Sequence, residues 1–420
     1  MSTLSSGSRT GSGLSRQAVR AANGLTARWA GRVEDIGDTG TAYSGVGVWP
    51  LLGLLSVGAD QRGQAELGAA FGLGNGPRGM DAGLVADAVR GVVDLFDRGA
   101  GLSLAMGLWR RADLSIHEDW LDLLPPATRG VLSGDSQQDQ RALDAWVERH
   151  TAGRLTKMPC QLSPDIMLLL ASALTVETQW QEPLKRSRGI GVGPWAETRL
   201  PLLSRRTSPT DTWLAQTAGG PVTVSVLEGQ DDIDVYLLLG DEGRAATSVL
   251  ADGIASLETI RKTGVPCTDW NGLEEARAGN DVVPGVTIST TRNTTGQPET
   301  ELECVAFSLS AQHDLLALAD VFGLEHASSR GDRFPGISSG TPIYVGQARQ
   351  DVVAELSETG FKAAAVTVIG MMRAAAVRRP PPHEARLTKI SYTRPFGFAA
   401  VHRDTGLVLV AGWVAKPNAA

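Results

Sequence analysis

The sequence is poor in the residues that build disulfide frameworks and metal centres. It has 3 cysteines and 6 histidines in 420 residues. Cys160, Cys267 and Cys304 are odd in number and widely separated, so we expect free thiols and a fold that does not depend on disulfides. Because the histidines show no metal-ligand spacing, the sequence predicts no metal and no cofactor.

Long apolar runs and large basic clusters are also missing. No run reaches the roughly 20 residues that span a bilayer, and the first nine residues lack the apolar core of a secretory signal. We therefore expect no membrane contact and a cytoplasmic location, with extracellular release by another route left open. The formal net charge is −7 and basic residues occur in short pairs such as Arg110-Arg111, which argues against a nucleic-acid partner.

What remains is the composition and patterning of an ordinary globular chain, with 42% hydrophobic and 20% charged residues. Residues 1–14 are rich in Ser and Gly, which predicts a disordered tail. Apolar spacing predicts helices over 16–34 and 64–73, the second ended by a glycine-rich terminator. Strand-like runs follow at 102–109, 166–176, 222–227, 235–239, 286–290 and 407–414. Helices early and strands late predict an α+β fold with large, mostly antiparallel sheets.

Residues 355–382 form the most informative stretch. A β-branched run over 366–369 favours a strand, and alternation would place five side chains on one face: Phe361, Ala363, Ala365, Thr367 and Ile369. Gly360 permits a swing of the backbone before this run, and three prolines at 380–382 cannot donate ladder hydrogen bonds after it. The pattern predicts a hinge, an insertable strand and an exposed bait. A helix or a flexible linker is the alternative, since alanine is a strong helix former.

The chain resembles a serpin of the bacterial type over roughly residues 20–417. Residues 353–360 (VAELSETG), followed by three alanines, resemble the reactive-loop hinge of that family, and residues 394–398 and 405–417 resemble its closing hairpin. Residues 51–59, 143–153, 171–180 and 334–338 are similar to two helices, a central strand and the segment before the hinge strand. The resemblance implies a single domain over residues 15–417. It also implies three β-sheets, about eight or nine helices and a reactive-centre loop at about residues 358–386.

The resemblance implies a monomeric protease inhibitor rather than an enzyme. A target serine protease attacks the loop, the cleaved loop inserts into the central sheet as a new strand, and the acyl-enzyme is trapped. The strain released by such loop insertion is a known property of the family. The implied hinge residues are Glu358, Gly360, Phe361, Ala363, Ala364, Ala365 and Thr367.

The resemblance also assigns a sheet-opening region to Ser44, Gly47, Ser172, Trp180 and Gln350. The family's polar cluster beneath the sheet usually contains a Ser, an Asn and a His, whereas Gly47, Ser172 and Gln350 stand at the matching positions. Phe361 replaces a small residue and Lys362 replaces a common Glu at the start of insertion. Since a buried Phe displaces more volume, these departures predict slower insertion.

Two counts place the scissile bond differently. Counting forward from Gly360 places it after Ala374, whereas counting back from Pro395 places it near Glu384, so the loop is about ten residues longer than usual. We favour the count from the hinge, because insertion length is set on that side. Ala374 suits an elastase-like or subtilisin-like protease, and the arginines suit a trypsin-like one. The scissile-bond candidates are Met372, Arg373, Ala374, Ala375, Arg378 and Arg379.

Two other functions stay open at the level of sequence. The first is a serpin-fold binding protein without inhibitory activity, whose loop is only a protease substrate. The second is a hydrolase, because Gly336-Ile-Ser338-Ser-Gly340 matches a nucleophile elbow and is followed by Asp351 and His383. An elbow needs a strand before it and a helix after it, and Pro335 and Pro342 place both poorly.

Overall fold

The structure is a computed structural model. It describes residues 14–33, 36, 40–73, 75–76, 79–124, 128–151, 153, 155–158, 160–163, 165–207, 211–267, 283–362 and 383–417. The described residues form nine α-helices: α1 (Arg16–Ala30), α2 (Gly45–Gly58), α3 (Gln61–Phe71), α4 (Ala82–Arg98), α5 (Glu118–Leu121), α6 (Ser136–His150), α7 (Ala246–Ser256), α8 (Ile260–Thr263) and α9 (Ala319–Phe322).

Twenty strands accompany them. In chain order they are β1 (Gly40–Tyr43), β2 (Asn75–Gly76), β3 (Gly79–Met80), β4 (Leu102–Arg111), β5 (Arg129–Leu132), β6 (Leu168–Gln179), β7 (Lys185–Ile190), β8 (Arg199–Thr207), β9 (Thr212–Thr217), β10 (Gly220–Glu228), β11 (Ile233–Gly240), β12 (Val265–Pro266), β13 (Val286–Asn293), β14 (Glu299–Val305), β15 (Phe307–Asp314), β16 (Arg349–Leu356), β17 (Gly360–Lys362), β18 (His383–Tyr392), β19 (Phe396–His402) and β20 (Leu407–Val414).

These strands make three large sheets and one two-stranded hairpin. The seven-stranded sheet has the order β1-β20-β19-β11-β10-β9-β12, the six-stranded sheet β15-β16-β17-β6-β4-β5, and the five-stranded sheet β13-β18-β14-β8-β7. Most pairings are antiparallel, with β4–β5 and β14–β18 as parallel exceptions. The α+β class expected from helices early and strands late is therefore confirmed.

Local chemistry explains where the helices begin and end. Ser44 precedes α2 and its side chain accepts a hydrogen bond from the backbone N–H of Gly47, which is an N-cap. Asp60 caps α3 in the same way, and Gly72 ends that helix with φ of 74°, a conformation that glycine adopts without strain. The glycine-rich terminator expected there is confirmed.

Most of the described core is one apolar cluster with residues from all three large sheets and the N-terminal helices, and a second, smaller cluster joins α6 to β6. Strands β11, β19 and β20 are buried along their whole length, as expected for strands covered on both faces. The three cysteines form no disulfide and are buried. Burial raises the pKa of the Cys267 thiol to about 11. In the described part of the chain, no helix is long and apolar enough to cross a membrane.

Candidate functional site

Strand β17 contains Gly360 and Phe361 of the predicted hinge and lies between β16 and β6 inside the six-stranded sheet, next to the ends of both strands. Gly360 pairs with Gln179 and Lys362 with Glu177 on the β6 side, while Lys362 also pairs with Glu355 on the β16 side. The first residues of the loop are thus already a strand of this sheet.

A tight turn and a tryptophan fix the hinge. Ser357 closes the turn by donating its backbone N–H to the carbonyl of Gly360 at 2.9 Å. Trp180 donates its indole Nε1–H to the carbonyl of Ser357 at 2.9 Å and its backbone N–H to the carbonyl of Thr359 at 2.9 Å. Trp180 is 2% exposed. Its donors therefore replace water at two carbonyls that the turn leaves unpaired.

Glycine is required at position 360 by a close approach of two backbones. A Cβ on Gly360 would lie 2.2 Å from the carbonyl oxygen of Thr178, far inside van der Waals contact. The sequence prediction assigned this glycine to a backbone swing. The structure gives a further physical reason, which is that only hydrogen fits between the hinge and β6.

The two unusual hinge residues each have a partner. Phe361 is fully buried, and its ring centroid lies 5.9 Å from that of Phe398 in the seven-stranded sheet. The ammonium of Lys362 lies 3.0 Å from a carboxylate oxygen of Glu177. Glu358 makes an ion pair with Arg186 on β7 at 2.7 Å. Phe361 and Lys362 therefore stabilise the docked hinge through contacts that sequence position alone does not reveal.

Beyond Lys362, the described residues leave the space between β6 and β16 unfilled. Strand β6 pairs with β4 along residues 168–176, and β16 pairs with β15 along its whole length. Among the described residues, no strand pairs with the facing edges of β6 and β16 below Glu177 and Glu355. We call this gap the lane. A cavity of about 440 Å³ extends along it, lined by both strands, by α2 and by residues of α6 such as Val147.

Four of the five residues assigned to sheet opening lie together where the start of α2 meets the lane, a position that we call its floor: Ser44, Gly47, Ser172 and Gln350. The fifth, Trp180, lies at the turn before β17. The Gln350 amide donates to the carbonyl of Ser44 at 2.9 Å and accepts from the backbone N–H of Ser44 at 2.8 Å. Ser172 Oγ donates to the carbonyl of Gly47. The start of α2 is thereby bonded to both strands that border the lane, and Trp180 lies eight residues further along the chain from Ser172.

A histidine that the sequence did not single out stands beside this cluster. His313 on β15 is the register partner of Gln350. Its Nε2 lies 2.9 Å from the carbonyl oxygen of Ala42, and its ring packs against Trp29 at 5.1 Å between centroids. The spacing of residues in the sequence could not reveal that His313 lies here, because its neighbours come from α1, β1 and β16. The imidazole ties β15 to β1 beside the cluster.

Burial changes the acidity of two carboxyls on β16. Desolvation raises the pKa of Asp351, which accepts a hydrogen bond from Gln312 at 3.1 Å, and it also raises the pKa of Glu355. Asp351 borders the lane. Both groups are disfavoured as anions in this position.

The predicted nucleophile elbow is not built as an elbow. Ser338 is 3% exposed and forms an isolated bridge with Ile116. In the described chain, residues 334–348 include turns but no helix or strand. Asp351 lies in the six-stranded sheet and His383 in the five-stranded sheet. The strand, turn and helix that such a nucleophile needs do not surround Ser338.

Several predicted site residues lie outside the described residues. These are Ala363, Ala364, Ala365, Thr367 and all six scissile-bond candidates. The loop was expected at about residues 358–386. At its first end, Glu358 and Thr359 lie in the turn before β17 (Gly360–Lys362), and at its other end residues 383–386 belong to strand β18 rather than to a loop.

Comparison with known proteins identifies the class of protein that this fold and lane define. The family model described as serpin (serine protease inhibitor) matches residues 21–189 and 280–417. The chain belongs to the serpin family.

Relatives with curated descriptions are distant. The chain is 21% identical over 288 residues to alpha-1-antiproteinase 2 of Equus caballus, covering 68% of this chain and 58% of that protein. It is 24% identical over 282 residues to plasminogen activator inhibitor 1 of Neovison vison, covering 66% of this chain and 61% of that protein. The matched region thus spans about three fifths of the length of these relatives.

Solved structures show the same fold at low identity. A cleaved serpin 42Da has a TM-score of 0.69 at 14% identity, with 96% of this chain and 98% of that chain covered. A thyroxine-binding globulin complex with thyroxine has a TM-score of 0.68 at 16% identity, with 96% and 99% covered. Native protease nexin-1 with heparin has a TM-score of 0.66 at 18% identity, with 96% and 100% covered.

Proposed function

We propose that this chain is a suicide-substrate inhibitor of serine proteases. In this proposal a protease cleaves the exposed loop, and the loop then inserts into the lane before the acyl-enzyme is hydrolysed. The observation that carries the proposal is the position of β17, which already pairs with both β16 and β6 at the top of the lane.

The register of β17 indicates which residues would fill the lane. Continued antiparallel to β6 from Gly360 opposite Gln179, the chain reaches the start of β6 with residue 371 opposite Leu168. In the same register Thr367 comes opposite both Ser172 and Gln350. Its hydroxyl would then meet the polar cluster at the floor of the lane, while Ala363 and Ala365 would face the core above it.

The driving force follows from what the lane leaves unpaired. A strand over residues 363–371 would form about ten backbone hydrogen bonds, each contributing roughly 1 kcal/mol net. It would also cover apolar cavity lining on β6 and α2. The total is comparable to the stability of a whole domain, so the uncleaved state persists as a kinetic trap.

The length of the lane supports the scissile bond expected from the hinge count. Since the lane ends at residue 371 in this register, the bond that is cut lies beyond it, which agrees with cleavage after Ala374. Glu384, the position given by counting backward, lies in β18 and pairs with Arg292. A paired strand is a poor substrate, because a protease binds an extended segment with free backbone groups. We expect an elastase-like, subtilisin-like or trypsin-like target.

A second function is favoured by the fully buried Phe361. If its contact with Phe398 holds the hinge too firmly, deacylation outruns insertion and the loop is merely a substrate. The protein would then be a binding or carrier module, and the likeness in fold to a thyroxine-binding globulin complex is compatible with that role. We expect the molecule to act as a monomer in the cytoplasm under either function.

One experiment separates these functions. The purified protein is mixed in turn with trypsin, elastase and subtilisin, and the products are analysed for a complex that survives boiling in detergent and for the released C-terminal peptide. Inhibition predicts such a complex and a peptide beginning within residues 373–380. Clean cleavage without a complex would contradict inhibition and favour the binding protein.

Two charged variants test whether insertion is the cause. Thr367→Arg would place a guanidinium against the floor of the lane, where burying an unpaired charge is costly, so the complex should be lost while cleavage continues. Val377→Arg carries the same charge beyond the segment that inserts and should still form the complex. Equal behaviour of the two variants would refute the role of the lane.

A further inference from the structure

The five-stranded sheet holds the far end of the loop in an unusual way. Strand β18, which follows the loop directly, lies second in the order β13-β18-β14-β8-β7. It pairs antiparallel with β13 over residues 383–390 and parallel with β14 over residues 387–392. Both of its edges are therefore hydrogen-bonded to neighbouring strands.

The two neighbouring strands, β13 and β14, follow each other in the chain and are joined by a short turn. Strand β13 ends at Asn293, whose side-chain oxygen accepts backbone N–H groups from Thr295 at 3.1 Å and Gly296 at 2.6 Å. Gly296 has φ of 68°, and β14 starts at Glu299. This turn sends the chain around β18 rather than back onto itself. We call the two strands together the clamp, and each strand one of its arms.

Only one arm of the clamp holds the first residues of β18. Pairing with β14 begins at Leu387, so residues 383–386 pair with β13 alone, from His383 opposite Asn293 to Arg386 opposite Thr290. The side chains of this segment make further contacts, and Arg386 is among the residues with a partner. Arg292 and Glu384 form an exposed ion pair at 3.8 Å, and Ala385 is 6% exposed.

The length of the chain between the lane and β18 limits how far an uncleaved loop could insert. If an uncleaved loop filled the lane, residue 371 would lie about 30 Å below the hinge. The chain from there to His383 reaches at most about 40 Å when fully extended.

The return path is longer than that reach. The chain must climb the lane again, about 30 Å, to the top of the six-stranded sheet. Tyr392 lies close to that top, because its ring packs on Phe396 at 5.5 Å and Phe396 packs on Phe307 at 6.1 Å, next to the hinge. His383 is about 30 Å from Tyr392 along β18. Complete insertion without cleavage therefore requires residues to leave the start of β18.

We propose that β13 is a lock that prevents the uncleaved loop from inserting. The proposal rests on the inhibitory function proposed above, since it concerns the same lane. Freeing residues 383–386 adds about 13 Å of chain and shortens the path along β18 by a similar length. The reach then becomes sufficient, so the pairing of four residues with β13 separates a loop that waits for a protease from one that inserts spontaneously.

The test compares intact wild type with Thr290→Pro/Thr291→Pro. Successive N–H groups of a strand point to opposite edges, so one of the two prolines removes a bond to β18 opposite Ala385 or Arg386. The matched control is Ser187→Pro/Arg188→Pro in β7, the edge strand at the other side of the same sheet. Each protein is incubated at 37 °C, and aliquots are assayed for cleavage of the loop by subtilisin and for oligomeric state.

We expect the loop of wild type and of the β7 control to stay cleavable. The β13 variant should lose cleavability while remaining monomeric, with a half-life about fivefold shorter or more, the factor for loss of one net hydrogen bond of about 1 kcal/mol. Hydrogen exchange of residues 383–386 should be faster in that variant. Unchanged cleavability in spite of faster exchange would overturn the lock, as would equal decay of the β7 control.

Two further measurements keep the outcome interpretable. If the prolines prevent folding, Thr290→Gly/Thr291→Gly weakens β13 while keeping its N–H groups, and the same results are expected with a smaller factor. The thermal stability of cleaved wild type is measured alongside. If cleavage raises that stability and no protease complex forms, the inhibitor proposal fails while the lock is still tested. If cleavage leaves stability unchanged, the loop does not insert and the lock is refuted as well.

Discussion

Phe361 is the residue whose removal should most directly change the state of the hinge. It is fully buried against Phe398 and sits in a three-residue strand that only two short ladders retain. Truncating a buried Phe to Ala typically costs about 3–5 kcal/mol. The backbone hydrogen bonds of β17 contribute roughly 1 kcal/mol each. Breaking these few bonds therefore costs less free energy than keeping the cavity that the truncation would leave.

Phe361→Ala should therefore open the hinge locally rather than unfold the domain. A loss of about 3 kcal/mol from the docked state corresponds to a rise of at least about 100-fold in the open fraction. Hydrogen exchange followed by mass spectrometry should show faster exchange in peptides that contain residues 357–362 and residues 177–181. Global stability in guanidinium chloride should fall by less than the typical cost of the truncation, because an open hinge does not keep the cavity.

Phe71→Ala is the matched control. Phe71 is also fully buried and stacks on Trp49 at 4.3 Å between centroids, in the helical part of the core. Its truncation should lower global stability and leave exchange at residues 357–362 unchanged. If Phe361→Ala accelerates exchange at the hinge no more than Phe71→Ala does, the reasoning that Phe361 holds the hinge is wrong.

Three smaller changes test the same region. Gly360→Ala should expel the hinge, because its Cβ would lie 2.2 Å from the carbonyl oxygen of Thr178, and limited proteolysis should then cut near residue 358. Trp180→Phe removes the donor to the carbonyl of Ser357 and should lower unfolding free energy by about 1 kcal/mol in chemical denaturation. Asp351→Asn should raise stability at pH 7 by less than about 1 kcal/mol, because burial raises the pKa of Asp351 and thus penalises its anion.

Each of these three predictions has a result that would contradict it. Gly346→Ala, where nothing lies within 4 Å of the new Cβ, should leave the protease pattern unchanged, and equal cutting of both glycine variants would remove the steric argument. An unchanged stability of Trp180→Phe would mean that water replaces the indole. The raised pKa of Asp351 makes the wild type lose stability as pH rises from about 3.9, the unfolded-state value, through the folded value. A stability gap to Asp351→Asn that does not widen over that range would refute the burial argument.

The family resemblance, rather than periodicity, indicated where a hinge and a polar cluster should lie. Gly360 and the residues around it match a short pattern, and Ser44, Ser172 and Gln350 do come together at the floor of the lane. The contacts that hold the hinge could not be predicted. Lys362 pairs with Glu177, which is 185 positions away, and local periodicity carries no information about such a partner.

Periodicity also carries no information about the feature that explains why the two counts to the scissile bond differ by about ten residues. Sequence periodicity indicated a strand near residues 286–290, and the structure has β13 over Val286–Asn293. Periodicity could not indicate that this strand would pair with residues 383–390, because register is set by the edge that a neighbouring strand leaves free.

The difference between the two counts therefore reflects a feature of the structure, which is the length of β18. β18 is ten residues long, and its first four residues pair only with β13. The backward count from Pro395 reached Glu384, which lies within these first residues of β18. In the proposed mechanism, the pairing of β18 with β13 would therefore set both where the bait ends and how firmly the uncleaved loop is kept out of the lane.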